Sequence, residues 1–366
     1  MKLKNFITCL FIGITATSCI KDEASNAEAD IETCTIQGDI LNREPIIENS
    51  RVILPLKLGT DLTKIAPQFT LTAGATITPV SGTELDFTTP QTYTVTSEDG
   101  QWKKVYEVRA LFSGLPTSYH FEEAVPYTDN KGKTIYYNFT ETDVIGNLLN
   151  WANANEGFNY TGVQADPTEY PTSPAPNGVK GDCVKLTTKS TGSLGALLKM
   201  YIASGNLFMG SFKLNIANVL EATHFGVPFT RIPTHLKGYY KYKAGEVFTV
   251  GGKTDATRKD ICDIYAVFYE TDENVKWLDG TNVFKNPNLI SVARISDAKE
   301  TDQWTEFNIP FAMQPGKSID PQKLKNEKYN VAVVFASSIK GDLFEGAVGS
   351  TLYIDEVELN YTDSAQ

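Results

Sequence analysis

The sequence predicts an all-β protein of two successive sandwich domains, and three observations predict it. Apolar residues recur with a period close to two almost throughout. The runs are short, about five residues, and rich in Thr, Val and Ile, as a half-buried pleated surface prefers. Gly, Pro, Asp or Asn separates them at roughly 8–12-residue spacing. The 366 residues suffice for two cores at about 150 residues per domain.

Taken in order, Ile53–Leu58, Phe69–Leu71, Ala75–Ile77, Tyr93–Val95 and Val105–Leu111 read as the strands of an immunoglobulin-like sandwich over residues 35–113. Ser113-Gly114-Leu115-Pro116 reads as a hinge, and a second domain occupies 114–366, opening at Tyr119-His120-Phe121-Glu122. Its strands are Cys183–Thr187, Gly210–Ile216, Leu236–Lys243, Ile261–Glu270, Leu289–Ile295, Thr305–Ile309, Asn330–Ala336 and Thr351–Tyr361. Some ten strands over roughly 245 residues fit a jelly-roll β-sandwich of two facing sheets. Val144–Asn155 reads as a helix, and the Pro-rich Ala165–Gly178 as a long loop.

Ahead of these domains, Met1–Asn5 carries two lysines, Phe6–Ile14 is mostly apolar, and Ala16-Thr17-Ser18-Cys19 follows. This reads as a bacterial signal peptide over residues 1–18. The small residues before Cys19 resemble a lipobox, which implies that the Cys19 thiol is lipidated and that 19–34 is a tether. Ile20-Lys21-Asp22-Glu23 resembles the surface-export signal of Bacteroidetes lipoproteins and implies an outer-membrane anchor at the cell surface. Contact with the membrane is then through the lipid alone.

Lys and Arg number 33 against 44 Asp and Glu, a net charge of −11, and −13 once Lys2 and Lys4 leave with the signal. That excludes a nucleic-acid partner, which needs a basic face to release phosphate counterions. Phosphate-cradling Gly-rich loops and Gly-x-Ser-x-Gly are absent. His120, His224 and His235 stand isolated. With Cys9 lost in the signal and Cys19 lipidated, Cys34, Cys183 and Cys262 remain as thiols, too far apart for a metal framework. Cys262 alternates with Ile264, Ala266 and Phe268 and reads as a core thiol.

Three blocks of the second domain carry a resemblance. They are Leu236-Lys237-Gly238-Tyr239-Tyr240-Lys241-Tyr242, then Asp260-Ile261-Cys262-Asp263-Ile264-Tyr265-Ala266-Val267, then Phe335-Ala336-Ser337-Ser338 with Phe344 to Val357. Together they are similar to the "putative carbohydrate metabolism domain" of Bacteroidetes lipoproteins. Gly59–Leu62, Phe69–Ala75 and Thr94–Gly100 resemble the immunoglobulin-like modules that precede such domains. The resemblance implies a jelly roll akin to carbohydrate-binding modules, and contact with glycan.

Sugar binding needs flat aromatic rings for pyranose C–H faces and polar groups for hydroxyls. The candidates are Tyr240, Tyr242, Asp263, Tyr265, Tyr269 and Trp277, with Tyr239, Trp151, Phe158 and Tyr160 behind them. Asp263 shares a strand face with Tyr265, Val267 and Tyr269, opposite the apolar face. Glycoside hydrolysis would need two carboxylates about 5–10 Å apart, one with a raised pKa. Asp263 is the first candidate, with Asp260 and Glu270 near the strand ends.

The reading is a surface lipoprotein that binds a poly- or oligosaccharide without cleaving it, alongside other glycan-uptake proteins. A glycosidase-like hydrolase is the alternative: a deep cleft with paired desolvated acids would argue for it, a shallow aromatic strip for binding. A fimbrial subunit is the third; fimbrillins need a removable N-terminal strand released after a basic residue, and Arg43 or Arg51 could be misread that way.

The last strand carries one more expectation. Leu352 and Ile354 are out of phase with Val357, Leu359 and Tyr361, so a β-bulge is expected at Asp355-Glu356. No cofactor is needed, although in several jelly-roll carbohydrate-binding modules two such acids share a structural calcium. Here these would be Glu122 and Asp355.

Overall fold

The computed structural model describes residues 26–41, 44–57, 60–112, 114–143, 147–215 and 218–362. Residues 1–25, which include Cys19, and Arg43 and Ser113 lie outside the described residues. The chain is all-β. In the first unit the strands Ile46–Ile47, Arg51–Leu56, Lys103–Phe112, Gln91–Thr96 and Thr76–Thr78 lie side by side in that order. Arg51–Leu56 runs parallel to Lys103–Phe112. Ile31–Ile36 pairs with Pro67–Leu71 in a second, small sheet. Alternation sends Tyr93, Val95, Tyr106 and Val108 into a core with Val52, Leu54, Leu56 and Phe69. Ile31–Ile36 and Arg51–Leu56 are both held in sheets, and Arg51 is ion-paired to Glu48, which counts against release of a strand there.

Among the described residues, the second unit faces a ten-stranded sheet against a six-stranded one. The larger sheet runs Ala312–Met313, Leu289–Arg294, Asp263–Glu270, Tyr329–Ala336, Asn206–Phe212, Leu148–Ala152, Thr134–Thr142, Glu123–Thr128. Two short strands, Thr223–Phe225 and Val227–Pro228, attach to it. The smaller runs Thr172–Pro176, Asp182–Thr187, Thr351–Thr362, Ile232–Lys243, Thr301–Pro310, with Ser118–Tyr119 beside Thr351–Thr362. Cys262, Ile264, Ala266 and Phe268 meet Leu236, Tyr240, Tyr242, Leu352 and Val357 between the sheets. The three described cysteines are free and buried, and burial pushes the thiols of Cys34 and Cys183 up to about 12.

Two segments differ from expectation. The helix expected over 144–155 is instead the strand Leu148–Ala152 in its described part, followed by a helix Asn155–Tyr160. Leu149 and Trp151 bury on one face with a period of two, and pairing with Thr134–Thr142 satisfies the backbone. The expected loop Ala165–Gly178 contains the strand Thr172–Pro176. That strand pairs on one side only, and an edge is where Pro174 and Pro176 cost no ladder bond.

The bulge is present. Lys237 lies opposite Glu358 and Tyr239 opposite Asp355, so Gly238 alone faces both Glu356 and Val357. Glu356 takes a left-handed φ of 45°. The inward phase changes there: Leu352 and Ile354 are buried before it, Val357 and Leu359 after it. The bulge crowds Gly238, where a Cβ would stand 2.7 Å from Phe307 Cζ and 2.8 Å from Val357 Cγ2. Gly238→Ala is therefore expected to destabilise the domain by about 1–2 kcal/mol, as overpacking does. Urea unfolding checks it; an unchanged midpoint would mean the two side chains yield freely.

Candidate functional site

Along Asp263–Glu270, Ile264, Ala266 and Phe268 enter the inter-sheet core, and Tyr265, Val267 and Tyr269 face the other way. Tyr265, Val267 and Tyr269 there join Phe208, Phe225, Leu278, Val283 and Val334 in a second apolar cluster, roofed by loops. Between sheet and loops lies a cavity of about 640 Å³. Phe208, Tyr265 and Val334 form its floor, and Phe158, Phe212 and Phe225 line it as well. Phe284, Lys285, Lys340 and Asp342 come to it from turns, and Asp263 and Arg294 from strand ends.

Strand pairing explains how the last two meet. Tyr265 lies directly opposite Arg294, so the Arg294 side chain reaches Asp263 two residues along the same face. Nε donates to Asp263 Oδ1 at 3.0 Å and Nη2 to Oδ2 at 2.7 Å, a bidentate pair. The Asp263 side chain is 6% exposed and that of Arg294 36%. The Phe284 ring covers the guanidinium at 4.3 Å. Burial pushes the Asp263 carboxyl above its ordinary range, while Arg294 pulls it back. Asp342, on the exposed turn Gly341–Leu343, is also pushed up by partial burial, and its charge adds to the rise at Asp263.

Of the residues expected at a site, the structure brings together Asp263, Tyr265 and Phe158. Asp260 is instead a buried structural carboxylate. Its Oδ2 accepts from Ser338 Oγ (2.6 Å), Ser350 Oγ (2.7 Å) and the Ala347 N–H (2.7 Å). Glu270 is ion-paired to Lys323 at 2.6 Å and does not line the cavity. Tyr240 and Tyr242 are corrected to core, because their face of Ile232–Lys243 points between the sheets; the half-exposed tyrosine of that strand is Tyr239. Tyr269 is sealed, donating to the Phe225 carbonyl at 2.6 Å and accepting from Asn330 Nδ2. Trp277 is 39% exposed but stacks on His224 at 4.2 Å, outside the cavity.

Arg294, Phe284, Lys285, Lys340 and Asp342 escaped sequence reasoning. An Arg closing an apolar strand was the visible signal for the first; the turn residues had none.

Glu122 and Asp355 do converge on one turn. Glu122 accepts from the Asp182 N–H at 3.1 Å, and Asp355 Oδ2 from the N–H groups of Val179 (2.6 Å) and Lys180 (3.1 Å). Asp355 Oδ1 is buried without a partner. Among the described residues no three His, Cys, Asp or Glu side chains gather as metal ligands. The turn thus aims N–H donors at these acids, whereas calcium takes six to eight oxygens.

Comparison with known proteins supplies the context. Residues 31–110 match the family described as "SGBP, N-terminal". A solved structure titled a putative glycoside hydrolase from Bacteroides thetaiotaomicron is 52% identical, with a TM-score of 0.86 over 94% of this chain and all of that one. Another of the same description, from Bacteroides vulgatus, is 44% identical, with a TM-score of 0.65 over 68% of this chain and all of that one. No curated protein matches. Residues 120–360, nearly all of the two-sheet unit and the whole of its cavity lining, match the model of the "Putative carbohydrate metabolism domain", and the chain belongs to that family.

Proposed function

We propose that this chain is a lipoprotein anchored at the outer-membrane surface that binds a poly- or oligosaccharide in the cavity of its second domain without cleaving it. The first domain serves as a spacer, and other glycan-uptake proteins are its partners. The family and the glycan-related relatives support the ligand class. The observation that carries the choice of binding is the Asp263–Arg294 pair. Both oxygens of the most buried cavity acid are already held by a guanidinium, so it is poorly placed to transfer protons or attack carbon. The aromatic walls suit pyranose C–H faces. Glycan-array binding by the chain beginning at Cys19 tests this, with Phe284→Ala expected to weaken whatever binds. An array without any ligand overturns the reading.

One observation favours the hydrolase alternative: Asp342 and Asp263 share the cavity, and both carboxyls are pushed upward. If that reading holds, released sugars appear from a bound polysaccharide and Asp342→Asn stops their release while binding persists. The reading of the first 25 residues is tested in cells, where Cys19→Ala should free the protein from the membrane fraction.

The protein is proposed to need no metal. Melting scans with calcium and with chelator are expected to share one midpoint, since the Val179, Lys180 and Asp182 amides already serve the acids of that turn. A midpoint raised by calcium would overturn this.

A further inference from the structure

The charges around the cavity narrow the kind of sugar. The protein is acidic, with a net charge of −11, yet three cations line the cavity against two carboxylates. Arg294 and Asp263 neutralise one another in their bidentate pair. Lys340 and Arg294 both act on Asp342, which makes no ion pair among the described residues. Lys285 is left over, with no ion pair among the described residues, next in sequence to the Phe284 ring that covers the guanidinium. The pair occupies Nε and Nη2 of Arg294, and Nη1 makes no hydrogen bond among the described residues.

A planar guanidinium fixed on one edge by a carboxylate and on one face by a ring is preorganised to receive a second carboxylate on its open edge. Around this one cationic corner the lining is mostly phenylalanine, tyrosine and aliphatic side chains, which suit ring C–H faces. One uncompensated positive charge matches a sugar with one carboxylate. A sulfated chain carrying several charges per repeat would meet too few cations.

We infer that the ligand presents a carboxylated pyranose, its carboxylate held between the Nη1 edge of Arg294 and Lys285 and its ring against the apolar lining. This rests on the glycan-binding reading above. Hexuronates and sialic-acid-type sugars share that chemistry, and the test has an arm for each.

The experiment is calorimetry of the chain beginning at Cys19 with uronate oligosaccharides and with sialyllactose, each beside its carboxyl-reduced neutral counterpart. At least one acidic ligand is expected to bind about tenfold or more tighter than its neutral form, a difference near 1.4 kcal/mol. The advantage should shrink as salt rises, since the corner is partly exposed. Lys285→Gln, at an exposed side chain, is expected to remove most of the advantage of the acidic form. Equal affinity for acidic and neutral forms overturns the inference while leaving glycan binding standing. An acidic preference that Lys285→Gln does not touch overturns the placement of the carboxylate. Absence of binding by every one of these sugars overturns the inference, and the glycan array then decides the wider glycan reading.

Discussion

Asp260→Ala is expected to destabilise the second domain by about 4 kcal/mol, a fall in melting midpoint on the order of 10 °C for a domain of this size. Asp260 is 4% exposed, and one of its oxygens, Oδ2, receives all three long-range donors, from Ser338, Ser350 and Ala347. Behind them stands a buried relay: Thr188 Oγ1 lies 2.5 Å from Ser338 Oγ and 2.8 Å from Ser337 Oγ, which accepts from the Gly205 N–H. Alanine would leave three buried donors unpaired at about 1–3 kcal/mol each, partly regained by relaxation. Asp260→Asn keeps one acceptor oxygen for the three donors but turns an amide N–H toward the Ile261 N–H, which now donates to Oδ1. It should lose less than alanine. Calorimetric melting of the two variants checks this order. Were both variants to melt like the parent, the three bonds to Oδ2 would contribute no stability.

Arg294→Ala is expected to cost about 2 kcal/mol at neutral pH and much less near pH 4.5. Breaking a buried pair costs about 3–5 kcal/mol, and the exposure of the Arg294 side chain calls for a discount because water replaces part of it. Asp263 remains behind as a buried carboxyl whose pKa, raised already, rises further without its partner. A carboxyl with a folded-state pKa above its unfolded value binds its proton more tightly when folded. Its stabilising contribution is therefore complete below the ordinary carboxylate range and is lost as pH climbs through the folded value. The variant should thus approach the parent in acid and fall behind it as pH climbs above the ordinary carboxylate range. Adding Asp263→Asn should recover most of the loss at neutral pH. Urea midpoints at pH 4.5 and 7.5 decide it; an equal deficit at both would show that Asp263 does not titrate.

How much of this was legible depended on how local each relation is. The alternation from Cys262 to Glu270 announced both faces of the central strand, and Cys262, Ile264, Ala266 and Phe268 did bury together. The phase change between Ile354 and Val357 announced the bulge. The strand Ile232–Lys243 was ambiguous, because both of its faces carry tyrosine and a lysine stem covers apolar surface as well as a smaller side chain does. Choosing Tyr240 and Tyr242 over Tyr239 therefore had no local basis. The Asp263–Arg294 pair spans 31 residues and exists only through the pairing of Asp263–Glu270 with Leu289–Arg294. Asp342 arrives from a turn still further along the chain.

The bulge opposite Gly238 also bears on how separate molecules behave when crowded. A uniform strand can slide by two residues, or leave for the matching gap in a second copy, and keep its apolar side inward. Thr351–Thr362 changes sides halfway, so any displaced alignment turns either Leu352 and Ile354 or Val357 and Leu359 away from the core. The long strand works as a notched key whose cuts fit at a single depth, and domain swapping through a half-inserted copy has no stable intermediate alignment in which to pause.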